Sequence, residues 1–165
     1  MRISIALLAL VSAPDAATGR PLEAELPPAR DTCYARTYDA AYLAAHPAQK
    51  VASVRLVHAP GDGPGPTFSF LDIRLRGGAK RYKLFGFCKA SGSGLACAPE
   101  WDAGTWRLEK GPGGTLDVVN GGVTLNPFEF DAEEVAPDSV ALPSAPDDRR
   151  WRLQRLPGSA PCTTG

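Results

Sequence analysis

The feature that most restricts the fold of this chain is a series of turn dipeptides flanked by apolar residues at alternate positions. A two-residue turn at Gly77-Gly78 sets Leu71 opposite Leu84 across a hairpin. Because alternate residues of a strand point to opposite faces, Asp72 then lies opposite Lys83 on the other face, as a cross-strand ion pair. The segment FSFLDIRLRGGAKRYKLFGF therefore predicts two antiparallel strands in a defined register.

The same counting applies farther along the chain. A type I′ turn at Asn120-Gly121 would pair Val118 with Val123, and a three-residue loop over 111–113 would align Trp106 with Val118. Turn signals recur every eight to twelve residues or so, which is typical of all-β folds. We therefore predict an all-β antiparallel meander of about eight strands that closes as a small barrel or packs as a sandwich.

Two segments do not fit the strand pattern. The stretch TYDAAYLAAHPAQ predicts one short N-terminal helix, with Asp39 or Thr37 as its cap and Pro47 at its end. The acidic, proline-rich stretch between Leu125 and Arg149 has the composition of a long surface loop. We expect the helix to cover one opening or edge of the sheet.

The four cysteines are interpreted as two disulfides. A turn at Gly92-Ser93 places Cys88 opposite Cys97 as a non-hydrogen-bonded pair, in which the Cα atoms lie about 4.5 Å apart, within disulfide range. By elimination, Cys33 pairs with Cys162 and joins the two ends of the domain. The spacing lacks the paired C-x-x-C of zinc sites, so we predict no metal site.

The N-terminus has the layout of a secretory signal, with one basic residue, a short apolar run and small residues. We expect a signal peptide over 1–17, a flexible lead over 18–32, a single β domain over 33–162 and a tail over 163–165. This organisation predicts an exported protein, periplasmic or extracellular, without membrane insertion. The formal net charge is zero, which disfavours nucleic acid as a partner, and we expect a monomer.

One cross-strand pair in the predicted hairpin lowers the stability of the sheet. Arg74 lies directly opposite Arg81, and like charges in that position destabilise a sheet. Farther along the same face, Phe70 lies opposite Phe85. Basic groups next to an aromatic ladder would suit a ligand with an anionic head and an apolar body. The candidate ligand-binding residues are Arg74, Arg76, Arg81, Lys83, Phe70 and Phe85.

A structural alternative accounts for the same residues. A bulge near Ser69-Phe70 would turn the phenylalanines into the core, while the arginines would splay into solvent. The two interpretations differ in where the aromatic side chains lie.

No catalytic motif and no cofactor motif occurs in the sequence. We therefore predict an exported, non-enzymatic binding module for a small amphipathic anion or a secreted protein partner, with no cofactor. Three alternatives remain: an inhibitor of a secreted hydrolase, a structural envelope protein, and a small glycosidase-type hydrolase. The last would use paired carboxylates, Glu100 and Asp102.

Overall fold

The computed structural model describes residues 22–26, 33–59, 67–99, 102–127 and 138–157. Its strands are antiparallel and belong to a single sheet. They are β1 (Cys33–Thr37), β2 (Val51–Ala59), β3 (Thr67–Leu75), β4 (Arg81–Ser91), β5 (Gly94–Ala98), β6 (Gly104–Lys110), β7 (Leu116–Pro127), β8 (Val140–Leu142) and β9 (Arg150–Arg155).

Eight of these strands form a closed barrel. Strands β1 to β7 pair in chain order, β9 pairs with β7, and β9 also pairs with β1 to complete the ring. The remaining strand, β8, pairs with the second half of β7. The predicted all-β meander of about eight strands is thus confirmed, and it closes as a barrel.

The inside of the barrel is filled by side chains that alternate with outward-facing residues along each strand. Trp106 and Trp151 are each 1% exposed and are the largest of these side chains. Apolar residues from every barrel strand surround them. The interior is therefore a packed core.

Two of the hairpins that were counted outward from their turns have the predicted registers. In β3 and β4, Leu71 pairs with Leu84 and Arg74 pairs with Arg81. In β4 and β5, Cys88 pairs with Cys97, and a disulfide joins them across a Cα separation of 4.1 Å. The predicted Cys33–Cys162 disulfide ends on a residue outside the described ranges, so one of the two predicted disulfides is seen.

The predicted turn at Asn120-Gly121 is wrong, because β7 runs through both residues. A type I′ turn needs positive φ at both central positions, but here the positive value, 98°, belongs to Gly122. The Asn120 side chain is buried and donates hydrogen bonds to the carbonyl oxygens of Leu142 and Asp148. These hydrogen bonds hold the segment that leads into β9 against β7, and β7 continues through Asn120-Gly121 as one strand.

The connection between β6 and β7 is longer than predicted. A short 3-10 turn, Pro112–Gly114, lies between the strands, and Gly111 donates a hydrogen bond to the carbonyl of Thr115. Trp106 consequently pairs with Asn120, two residues beyond the predicted Val118. A shift of two positions keeps the same face, so Trp106 still points inward.

Two short helical segments accompany the barrel. The predicted helix is present as α2 (Ala40–Ala45), and the carboxylate of Asp39 caps it by accepting a hydrogen bond from the Tyr42 amide. Within 18–32, expected to be a flexible lead, α1 (Leu22–Glu25) is helical, and Leu22 and Leu26 pack into the core. Their four-residue spacing places both on one helix side. Neither described helix is long and apolar enough to cross a bilayer.

Candidate functional site

The outward-facing side chains of β1 to β4 form rows that cross the four strands. The pairings between neighbouring strands define each row. We call this surface the outer face. From one end, its rows are Thr37, Ser53, Arg74 and Arg81; then Ala35, Arg55, Asp72 and Lys83; then Cys33, Val57, Phe70 and Phe85; and then Ala59, Phe68 and Phe87. The outer face therefore changes from polar and cationic to aromatic.

The first two rows enclose a groove of about 720 Å³, which we call the cation groove. Short side chains lie on the β1 and β2 side, and three arginines with long side chains line the groove on β2, β3 and β4. The lining residues are Ala35, Thr37, Ser53, Val54, Arg55, Asp72, Arg74, Ala79 and Arg81. The contrast in side-chain length between neighbouring positions gives the groove its depth.

Asp72 and Arg81 are joined by a two-pronged ion pair inside the groove. The Asp72 carboxylate accepts one hydrogen bond from Nε of Arg81 at 3.1 Å and another from Nη2. These hydrogen bonds raise the pKa of Arg81. Asp72 is 7% exposed, whereas the Arg81 side chain is 40% exposed. The predicted position of Asp72 opposite Lys83 is confirmed, but the hydrogen-bonded cation is Arg81, on the diagonal.

Lys83 is the cation that lies directly opposite Asp72 across β3 and β4. Desolvation by burial lowers the pKa of Lys83 and outweighs the opposing effect of the Asp72 carboxylate. The positive charge of Arg81 lowers the pKa of Lys83 further. Two cations on β4 therefore share the neighbourhood of one carboxylate on β3.

Arg74 differs from Arg81 although the two are paired across the sheet. Its side chain is exposed, and within the ranges that the structure describes it makes no hydrogen bond or ion pair. In that part of the chain the hydroxyl groups of Thr37 and Ser53, in the same row, likewise make no hydrogen bond. Three neighbouring donor side chains on three adjacent strands are thus available to a ligand.

The phenylalanine cluster, Phe68, Phe70, Phe85 and Phe87, lies on the outer face beside the cation groove. Its ring centroids are 4.8–5.4 Å apart, within the range of favourable aromatic contacts. All four side chains are half-buried, while Cys33 and Val57, in the row of Phe70 and Phe85, are buried.

The alternative interpretation, in which a bulge turns the phenylalanines inward, does not hold. The β3–β4 pairing is unbroken from Thr67 and Cys88 to Arg74 and Arg81. Because strand alternation is preserved, the arginines and the phenylalanines share the outer face.

Not every predicted site residue reaches this face. Arg76 lies in the turn after β3, and its Nη1 donates a hydrogen bond to the carbonyl of Leu43 at 3.0 Å, beside a separate groove. Of the two carboxylates considered for a glycosidase, Glu100 lies outside the described residues, and Asp102 is exposed on a third groove.

Sequence analysis missed Arg55, Ser53 and Thr37. The register between β2 and β3 could not be counted, because no two-residue turn joins these strands and the pairing shifts between Val51 and Ser53. Alternation within VASVRLV, with Val54 and Leu56 pointing inward, was the available signal that Arg55 faces outward.

A second charged cluster on the barrel offers a useful contrast. Asp117 on β7 is 2% exposed and accepts hydrogen bonds from Arg152 at 2.8 and 2.9 Å and from Arg150 at 2.9 Å. These bonds, that from Arg152 first, lower the pKa of Asp117. Arg150 also contacts Glu109 at 3.1 Å. Arg107 also contacts Glu109, at 3.5 Å. This cluster joins three arginines to two carboxylates and has the character of a structural network.

Among the described residues, no three His, Cys, Asp or Glu side chains lie together in a way that could hold a metal ion. No family model, curated protein or solved structure significantly matches the chain.

Proposed function

We propose that this chain is an exported, non-enzymatic binding module that holds a small amphipathic anion on its outer face. The observation that carries the proposal is the juxtaposition of the cation groove with the phenylalanine cluster on one side of the barrel. Guanidinium groups bind oxyanions through paired N–H donors, and the aromatic rings offer an apolar surface to the rest of the ligand.

The pairing of Arg74 with Arg81 supports an anionic ligand. Like charges placed directly opposite each other destabilise a sheet, and Asp72 neutralises only one positive charge. An anion bound near Arg74 would offset the repulsion that remains.

The packed interior supports a location on the outside of the barrel. Small barrels that carry ligands internally need a cavity, whereas this interior contains Trp106 and Trp151. The disulfide between Cys88 and Cys97 is compatible with an oxidising compartment.

The groove is open along the flank of the barrel, and this favours one further candidate. An acidic loop of a secreted protein, including a hydrolase that the module would inhibit, could place a carboxylate in the cation groove. Titration with small amphipathic anions distinguishes the two candidates, because a module that binds an acidic protein loop need not bind an anion with a single alkyl chain.

The test is isothermal titration calorimetry of the mature protein with octyl sulfate, nonanoate and neutral octyl glucoside, all below their micellar concentrations. We expect at least one of the two anions to bind and the glucoside not to bind. Arg74→Gln should weaken anion binding at least tenfold, about 1.4 kcal/mol. Arg149→Gln, at an exposed arginine outside the groove, is the matched control and should leave affinity unchanged.

Failure of both anions to bind the wild type would overturn the small-anion proposal and leave a protein partner as the occupant of the face. If the Arg74→Gln variant and the wild type bind the anions with equal affinity, the anion site does not lie in the cation groove.

A further inference from the structure

We infer that the anionic group in the cation groove is a tetrahedral oxyanion, a sulfate or phosphate ester, in preference to a carboxylate. The inference rests on the proposed function and adds the chemical class of the ligand head. Its basis is the row of three donors formed by Thr37, Ser53 and Arg74.

The three donors lie next to one another on adjacent strands. Thr37 pairs with Ser53 across β1 and β2, and Ser53 pairs with Arg74 across β2 and β3. Neighbouring strands lie about 4.8 Å apart, so the three Cα atoms span roughly 10 Å along the row. The two hydroxyls are on short side chains, and the guanidinium is on a long one. An anion above Ser53 can therefore accept from both sides.

The three donors are available to a ligand. In the described part of the chain, neither hydroxyl nor the Arg74 guanidinium is used in a hydrogen bond within the protein. Thr37 and Arg74 are exposed, and Ser53 is half-buried. All three line the same groove. They can bind a ligand without breaking an existing contact.

Carboxylates and tetrahedral oxyanions differ in the directions of their oxygens. A carboxylate has two oxygens in one plane, and a single arginine fork satisfies both. A sulfate or phosphate ester has three terminal oxygens that point in three directions. Two oxygens can meet the Arg74 guanidinium while the third accepts from the hydroxyls of Ser53 and Thr37. A carboxylate would leave these two hydroxyls unused.

The groove already contains one carboxylate, and its binding mode agrees with this comparison. Asp72 is held by the fork of Arg81, through Nε and Nη2. Neither Thr37 nor Ser53 contributes to binding that carboxylate. The donor row is thus a separate set of groups beside a pair that is already satisfied.

The experiment compares octyl sulfate with nonanoate, which have equal alkyl chains and equal charge but differ in the shape of the head. We expect octyl sulfate to bind the wild-type protein at least tenfold more tightly. Ser53→Ala and Thr37→Val should each reduce this preference, and the double variant should abolish it while leaving nonanoate affinity unchanged. Thr105→Val, at an exposed strand threonine outside the groove, is the matched control.

Octyl phosphate is the second test ligand, because its head is tetrahedral like that of octyl sulfate but carries a different charge. Its preference over nonanoate should show the same dependence on Ser53 and Thr37. Equal binding of octyl sulfate and nonanoate, with both still dependent on Arg74, would overturn this inference and leave the proposed function intact. Absence of binding by every anion would overturn the proposed function itself.

Discussion

At the scale of single residues, the two paired arginines of the outer face have different surroundings. Arg81 is tied to a buried carboxylate, and Arg74 has no such partner among the described residues. Sequence analysis predicted that the two face each other, because a two-residue turn fixes the count. It could not predict which cation on β4 would reach Asp72, since Lys83 and Arg81 are both within side-chain reach.

This difference leads to a prediction about stability. Arg81→Gln leaves the buried Asp72 carboxylate without its fork and should lower the free energy of unfolding by about 1–3 kcal/mol. Arg74→Gln should change it by less than about 0.5 kcal/mol, as for an ordinary surface position. Urea unfolding of both variants measures the two effects. Combining Arg81→Gln with Asp72→Asn should recover part of the loss, and equal effects of the two single variants would contradict the assignment.

At the scale of strands, whether a strand pairing could be predicted from the sequence depended on the connection between the two strands. The β3–β4 and β4–β5 registers were predicted correctly because the count ran outward from the turn dipeptide at the centre of each hairpin, although the β3–β4 connection extends over residues 76–80. β7 was divided into two strands because Asn120-Gly121 has the composition of a turn. The contacts that overrule this composition come from Leu142 and Asp148, far along the chain.

The close approach of β6 to β7 at Gly104 gives a prediction, and Gly77, which also has positive φ, provides the comparison. A Cβ on Gly104 would lie 1.7 Å from the carbonyl oxygen of Gly122, whereas one on Gly77 would have no atom within 4 Å. Gly77→Ala should therefore cost about 1–2 kcal/mol for its backbone conformation alone. Gly104→Ala adds a backbone clash and should cost on the order of 4 kcal/mol or more. Thermal unfolding of the two variants provides the comparison, and similar losses would refute the close approach.

At the scale of the whole molecule, the barrel encloses a titratable group. His58 on β2 is 1% exposed, and burial lowers its pKa from 6.5 to about 4. It pairs with Ser69 on β3, which is also buried. Protonation of His58 would place a charge inside the core, so the folded state takes up this proton less readily than the unfolded chain does.

The pH dependence of stability follows from that difference. The contribution of neutral His58 is fully present above pH 6.5 and is lost as the pH falls from about 6.5 towards 4, by roughly 3 kcal/mol in total. His58→Leu should abolish the loss in this interval. Asp117, whose pKa is lowered from 3.8, adds a separate loss at more acidic pH. Chemical denaturation at a series of pH values tests the assignment; an unchanged slope between pH 6.5 and 4 in His58→Leu would exclude His58 as the cause.

The alternation of the strands has a consequence for how the outer face can vary. Its side chains project away from the core, so exchanging one of them leaves the packing of Trp106, Trp151 and their neighbours unchanged. The rows form a grid in which the neighbours of each position are known from the pairings. A library that varies Thr37, Ser53 and Arg74 and keeps the Asp72–Arg81 ion pair would therefore sample new binding specificities on a constant scaffold.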